Sequence, residues 1–233
     1  VVGKCGEESP INTKKIAVSD EILGQWQKIA DLLAAVLDIP AALIMRLQAE
    51  EIAVLVSSQG DGNPYHPGAS EKLADSGLYC ETVIRTQELL LVPDALADKD
   101  WRDNPDVKLN MIAYLGFPLR WPNQDPFGTI CVLDRLRNEF SETSVALMER
   151  FRELIEHHLE MIYMNRILGD KNERLVDYLA ELQTLRGLVA ICSHCKSIRD
   201  GQGQWHAIEH YLINHPETEF SHGICPQCLA EHY

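Results

Sequence analysis

Two Cys-x-x-Cys pairs, Cys192-Ser193-His194-Cys195 and Cys225-Pro226-Gln227-Cys228, are separated by 29 residues. One such turn lets two thiolates grip a single ion, and a second completes the tetrahedron that zinc prefers. The stretch from Gly187 to Tyr233 carries few large apolar side chains, and a unit of roughly 45 residues ordinarily needs a staple such as a metal. Four thiolates leave no open coordination position, so zinc held by Cys192, Cys195, Cys225 and Cys228 is expected to be structural. Reversible dithiol chemistry and unliganded thiols are the alternatives. Neither pair is followed by histidine, which excludes a c-type haem attachment. Between the pairs, Trp205, Ile208, Tyr211, Leu212 and Ile213 give helical spacing, and Cys228-Leu229-Ala230-Glu231 begins a further helix. Lys196 and Arg199 lie close to the first pair in sequence and offset its charge.

The other three of the seven cysteines, Cys5, Cys80 and Cys131, are scattered. No basic segment with an apolar stretch and cleavage site opens the sequence, so a signal peptide is not expected. The expected location is the cytoplasm, where thiols stay reduced and a disulfide scaffold does not persist. The longest apolar runs, such as 41–45 and 89–92, fall far short of the ~20 residues of a membrane helix. Lys and Arg total 21 against 35 Asp and Glu, a formal charge of −14. Such a surface repels phosphate backbones and speaks against nucleic acid as a partner.

Residues 1–17 lack periodicity and read as a loose arm. Ser19 or Asp20 caps a helix whose apolar residues run from Ile22 to Leu37, and Asp38-Ile39-Pro40 ends it. Runs 41–47 and 52–58 form a hairpin. A Gly- and Pro-rich connection follows, then a short helix over 79–86 and a strand over 89–92. An irregular stretch, 95–106, precedes two strands at 111–120 and 127–133. Ser141 opens a long helix. Counted in heptads from Leu147, its seam reads Leu147, Phe151, Leu154, His158, Met161, Asn165, Leu168, Asn172, Leu175, Leu179, Leu182 and Arg186. Eight of these twelve positions are apolar, enough to predict a coiled coil, with Asn165 and Asn172 setting register in a parallel homodimer. The alternative is a single helix packed on its own domain for its first half.

This order describes an α+β fold: one antiparallel sheet flanked by helices, a long helix and a small zinc-knuckle tail. The expected divisions are a sensor domain at 18–145, a coiled-coil linker at 146–187 and a four-cysteine module at 188–233. The residues from Ser19 to Leu168 resemble a GAF domain, the small-molecule sensor module of bacterial signalling proteins, with its PAS-like sheet. The resemblance is carried by Gly77-Leu78-Tyr79-Cys80-Glu81-Thr82-Val83-Ile84, Leu91-Val92-Pro93-Asp94, Gly116-Phe117-Pro118-Leu119 and Phe127-Gly128-Thr129-Ile130-Cys131-Val132-Leu133-Asp134. It implies a ligand pocket between the sheet and its overlying loops, with Tyr79, Cys80, Asp94, Trp101, Tyr114, Phe117 and Cys131 as candidate lining. Each is weighed against simple core filling, the commoner fate of a Cys, Tyr or Phe in a sheet. Bilin-binding members attach their chromophore through a cysteine commonly followed by histidine, whereas Glu81 follows Cys80 and Val132 follows Cys131. No Asn-Lys-x-Phe-Asp signature of the cyclic-nucleotide binders is present.

The tail resembles a cysteine-rich segment found after sensor and receiver domains in bacterial signalling proteins. Ile191-Cys192, Cys195-Lys196, Ile198-Arg199-Asp200, Trp205, Ile208-Glu209, Tyr211 and 220–228 carry that likeness. The resemblances together imply a homodimeric, non-enzymatic relay. The GAF-like domain would sense a small molecule or redox state, and the helix would pass the signal to a zinc-stabilised output module or a signalling partner. No kinase, cyclase or phosphodiesterase block follows the helix. The alternative function is a thiol oxidoreductase, similar to the free methionine sulfoxide reductases of this fold, using the GAF or tail cysteines.

Overall fold

The computed structural model describes residue 13 and residues 16–200, 202–208 and 219–232. They divide into two compact units, residues 1–167 and 168–233.

In the first unit, helix α1 (Asp20–Leu37) begins where the Ser19 hydroxyl accepts the Ile22 N–H. It ends one step before the expected proline effect: Asp38 turns left-handed at φ 52° and its N–H caps the Ala34 carbonyl. Strands β1 (Ala41–Gln48) and β2 (Glu51–Ser57) form the expected hairpin, closing on Gln48 opposite Glu51. Short strand β3 (Ser70–Lys72) adds to the β2 edge. Helix α2 (Tyr79–Thr86) is followed by β4 (Leu90–Val92), a 3₁₀ turn at Pro105–Leu109, β5 (Ala113–Arg120) and β6 (Pro126–Asp134). The sheet is antiparallel in the order β3-β2-β1-β6-β5-β4, so the first hairpin and the last pair meet at its centre.

Strand alternation divides the core into two layers. Ala42, Ile44, Leu115, Phe117, Leu119, Ile130 and Val132 pack with Trp26, Ile29 and Leu33 of α1 and with Met148, Ile155 and Leu159 of α3 (Glu142–Gly187). Leu43, Met45, Ile52, Val54, Tyr114, Cys131 and Leu133 form the other layer with Tyr79, Cys80 and Val83 of α2. Gly128 permits the close β1–β6 approach: a Cβ there would lie 1.8 Å from the Met45 carbonyl oxygen. Within the segment expected to be a loose arm, Thr13 and Ile16 are buried, Thr13 donates to Asp125, and the Ile16 carbonyl accepts from Arg46. Residues 1–12, 14 and 15 of that segment lie outside the described residues.

The first half of α3 is a core helix of this unit, not the start of a linker. Its fully buried residues, Met148, Ile155 and Leu159, lie off the heptad seam counted from Leu147. The seam itself splits. Phe151 packs on the domain core and His158 Nδ1 accepts the indole N–H of Trp26 at 3.0 Å, whereas Leu154 and Met161 are about half exposed. Further along, Leu168, Leu175 and Leu179 are exposed.

The second unit contains a four-stranded sheet in the order β10-β7-β8-β9. Strand β7 (Leu188–Cys192) pairs in parallel with β10 (Glu219–Gly223) and antiparallel with β8 (Ile198–Arg199), which pairs with β9 (Trp205–His206). Helix α4 (Pro226–His232) starts at Pro226, two residues ahead of the Cys228 start expected from the sequence. Trp205, expected in a helix, is in β9 and packs on the cysteine cluster. The remainder of that expected helix, from residue 209 to Ile213, lies outside the described residues.

Candidate functional site

A cavity of about 590 Å³ lies on the α2 side of the main sheet. Leu43, Met45, Ile52, Val54 and Leu133 give it apolar walls, and Cys80, Tyr114 and Cys131 line it from α2, β5 and β6. Tyr65 and Asp106 enter from the loops. Of the seven pocket residues expected from the sequence, three therefore meet at the cavity.

The other four stand elsewhere. Tyr79 is fully buried behind the wall, stacked on Tyr114 at 4.7 Å and tilted against Trp101 at 5.2 Å, so this aromatic pair backs the site without lining it. Asp94 ties its own loop by accepting the Leu96 N–H. Phe117 faces the opposite layer, under the guanidinium of Arg152 at 5.9 Å.

The floor of the cavity is a hydrogen-bonded sulfur–hydroxyl cluster. Thr129 donates to the Cys80 sulfur at 3.4 Å, and the Tyr114 hydroxyl meets the same sulfur at 3.5 Å. Cys131 packs in the same cluster and lines the same cavity as Cys80. The neighbouring Cys131, with the hydrogen bonds of Thr129 and Tyr114, draws Cys80 below the usual thiol range against the opposing effect of burial. The Cys80 contact and burial push Cys131 up.

Asp106 is the polar residue that sequence reasoning missed. It is buried, its Oδ1 accepts the Tyr65 hydroxyl at 2.7 Å, and burial raises its pKa, with the Glu71 charge adding to the rise. Asn104 caps its turn, accepting the Asp106 N–H and donating to the Gly77 carbonyl. The Asn104-Pro105 start of that turn is the one sequence signal that pointed there.

In the second unit the four tail cysteines converge. Their sulfurs all lie within 4.8 Å of one another, with Cys195 and Cys225 3.7 Å apart. Four thiolates at ~2.3 Å from one zinc ion stand about 3.8 Å apart, so the arrangement fits such an ion. Backbone N–H groups of Cys225 and Cys228 point at the sulfurs of Cys192 and Cys225. The parallel register sets Gly223 beside Cys192, which brings the second pair to the first. Lys196 turns left-handed at φ 62°, closing the first knuckle with its N–H on the Cys192 carbonyl.

One antiparallel sheet with α1 and α3 on one face, and α2 beside a ligand-sized cavity on the other, is the architecture of a sensory α+β domain. The GAF domain family model matches residues 22–159, and the chain belongs to that family, whose members are typical of sensor and signalling proteins. Similar folds include the phycoerythrobilin-bound GAF domain from a cyanobacterial phytochrome, at 10% identity and a TM-score of 0.54 over 63% of this chain and 89% of that one. A methyl-accepting chemotaxis protein, residues 122 to 287, matches at 15% identity and 0.52 over 65% and 96%. The blue-light absorbing form of the Thermosynechococcus elongatus PixJ GAF domain matches at 16% identity and 0.50 over 69% and 98%. A search of curated proteins finds no match. No helix among the described residues is long and apolar enough to cross a membrane.

Proposed function

We propose that the chain is a signal-transduction protein of the cytoplasm. Its GAF domain binds a small molecule, and α3 carries the change toward a zinc-stabilised output module held by Cys192, Cys195, Cys225 and Cys228. The observation that carries the reading is the cavity: a core layer that side chains ordinarily fill at crystal-like density leaves about 590 Å³ open beside Cys80, Tyr114 and Cys131. Binding there shifts an equilibrium only by differential affinity for two arrangements of the domain.

The role is binding rather than catalysis, and the output runs through the tail or a signalling partner. Two copies pair in parallel through the exposed leucines of α3, which leaves no large apolar stripe in water. Native mass spectrometry of the full chain tests the whole reading, with two chains, two zinc ions and a retained small molecule as the expected species. Val54→Trp, which fills the cavity, is expected to lose that small molecule. Retention by the variant would remove the cavity from the mechanism.

A further inference from the structure

We infer that Cys80 and Cys131 form a dithiol switch in the cavity floor, oxidised to a disulfide by an organic hydroperoxide bound in the cavity. The inference rests on the sensor reading above and names the chemical class that the cavity takes.

Three observations support it. The two thiols line one cavity and pack in one core cluster although they come from α2 and β6, 51 positions apart in the sequence. They differ in access: both line the cavity, but Cys80 is 9% exposed while Cys131 is fully buried. Their surroundings also differ. Cys80 accepts a hydrogen bond from Thr129, shares one with the Tyr114 hydroxyl, and sits in the first turn of α2, where the helix dipole favours an anion. Cys131 has no such position at a helix start, and the Cys80 contact together with burial raises its pKa. The more exposed sulfur, Cys80, is thus the attacking group and Cys131 the resolving group.

The chemistry balances without a further reactant. The Cys80 thiolate attacks the distal oxygen of R–O–OH and the O–O bond breaks. Cys80 becomes a sulfenic acid, and the departing alkoxide recovers the proton that Cys80 gave up, leaving as the alcohol. The Cys131 sulfur then attacks the Cys80 sulfur, the S–OH bond breaks, and hydroxide leaves with the Cys131 proton as water. Two electrons pass from the sulfur pair to the peroxide. The walls select the oxidant: Leu43, Met45, Ile52 and Val54 give an apolar R group area to bury, and hydrogen peroxide has none to offer. Oxidation also removes the Cys80 thiol that the Tyr114 hydroxyl meets, so the aromatic stack on Tyr79 registers the change.

The test treats the full reduced chain with equal concentrations of cumene hydroperoxide or hydrogen peroxide, blocks remaining thiols and maps the peptides. A Cys80–Cys131 linked peptide is expected, forming at least about tenfold faster with cumene hydroperoxide. Cys131→Ala, or Cys131→Ser if the first variant does not fold, is expected to leave Cys80 as a sulfenic acid captured by dimedone. No linked peptide, or equal rates with the two peroxides, overturns the inference. Loss of the retained small molecule from Val54→Trp is read in a separate experiment, so the sensor reading and the dithiol switch fail independently.

Discussion

The ring of Tyr114 lies flat over Gly116, two residues along the same face of β5. A Cβ at Gly116 would stand 2.1 Å from the Tyr114 hydroxyl oxygen and 2.5 Å from its ring carbon. The missing side chain is therefore what lets the phenol reach the Cys80 sulfur and form the cavity floor. Tyr114 is 1% exposed and stacked on Tyr79, so it cannot swing aside freely. Gly116→Ala is expected to destabilise the domain by ~1–3 kcal/mol through overpacking, read as a lower midpoint in urea.

Gly128 is the stricter position. The obstacle at 1.8 Å is the Met45 carbonyl, a backbone atom inside a central strand pair. Gly128→Ala is expected to cost ~4 kcal/mol or more, at the exceptional end for a single substitution. A urea midpoint above that of Gly116→Ala would reverse this ranking.

For the tail, Cys195→Ser or Cys225→Ser removes one thiolate from the cluster and is expected to abolish stoichiometric zinc. The main domain should melt unchanged, because among the described residues its two core layers contain none from the tail. Metal analysis alongside calorimetry checks both halves of this expectation. Unchanged zinc in both variants would sink the assigned site.

Assembly is tested on α3. Leu175→Asp with Leu179→Asp places charges on two leucines that are 57% and 60% exposed in the single chain. Neither change disturbs the packed first half of the helix, so folding should survive while sedimentation shifts from dimer to monomer. A wild type that sediments as a monomer at micromolar concentration excludes the dimer.

The Trp26–His158 bond gives a pH dependence. His158 Nδ1 must be unprotonated to accept the indole N–H, and burial, helped by the neighbouring His157 charge, lowers its pKa. A depressed folded pKa means stability present above the unfolded value of ~6.5 and lost as pH falls through the folded value. His158→Phe is expected to remove this part of the acid dependence, seen as a flatter plot of melting temperature below about pH 6.5.

Much of the fold was legible because it is periodic. The apolar spacing of Trp26, Ile29 and Leu33 set α1, and the alternation of 41–47 and 52–58 set the hairpin. Strand β3 was not legible: Ser70-Glu71-Lys72 is polar and exposed, and is a strand only because β2 offers it an edge. The heptad count on α3 mixed two faces, since a seam of leucines does not reveal that Met148, Ile155 and Leu159 already face a core. At the site, parity within β5 held the answer for Phe117. Strand residues alternate faces, so Phe117 and Tyr114 cannot line one cavity. Asp106 gave no such signal, because a buried acid is created by the distant Tyr65 that meets it.

The main sheet ends at both edges in strands of three residues, Ser70–Lys72 and Leu90–Val92. Edges this short, one of them bearing Glu71 and Lys72, offer little template for strand addition by another molecule. In the proposed dimer, pairing through the helix would hold two such domains at high effective concentration, the condition under which open β edges fuse into aggregates. Blunt edges would then leave the choice of partner to the helix.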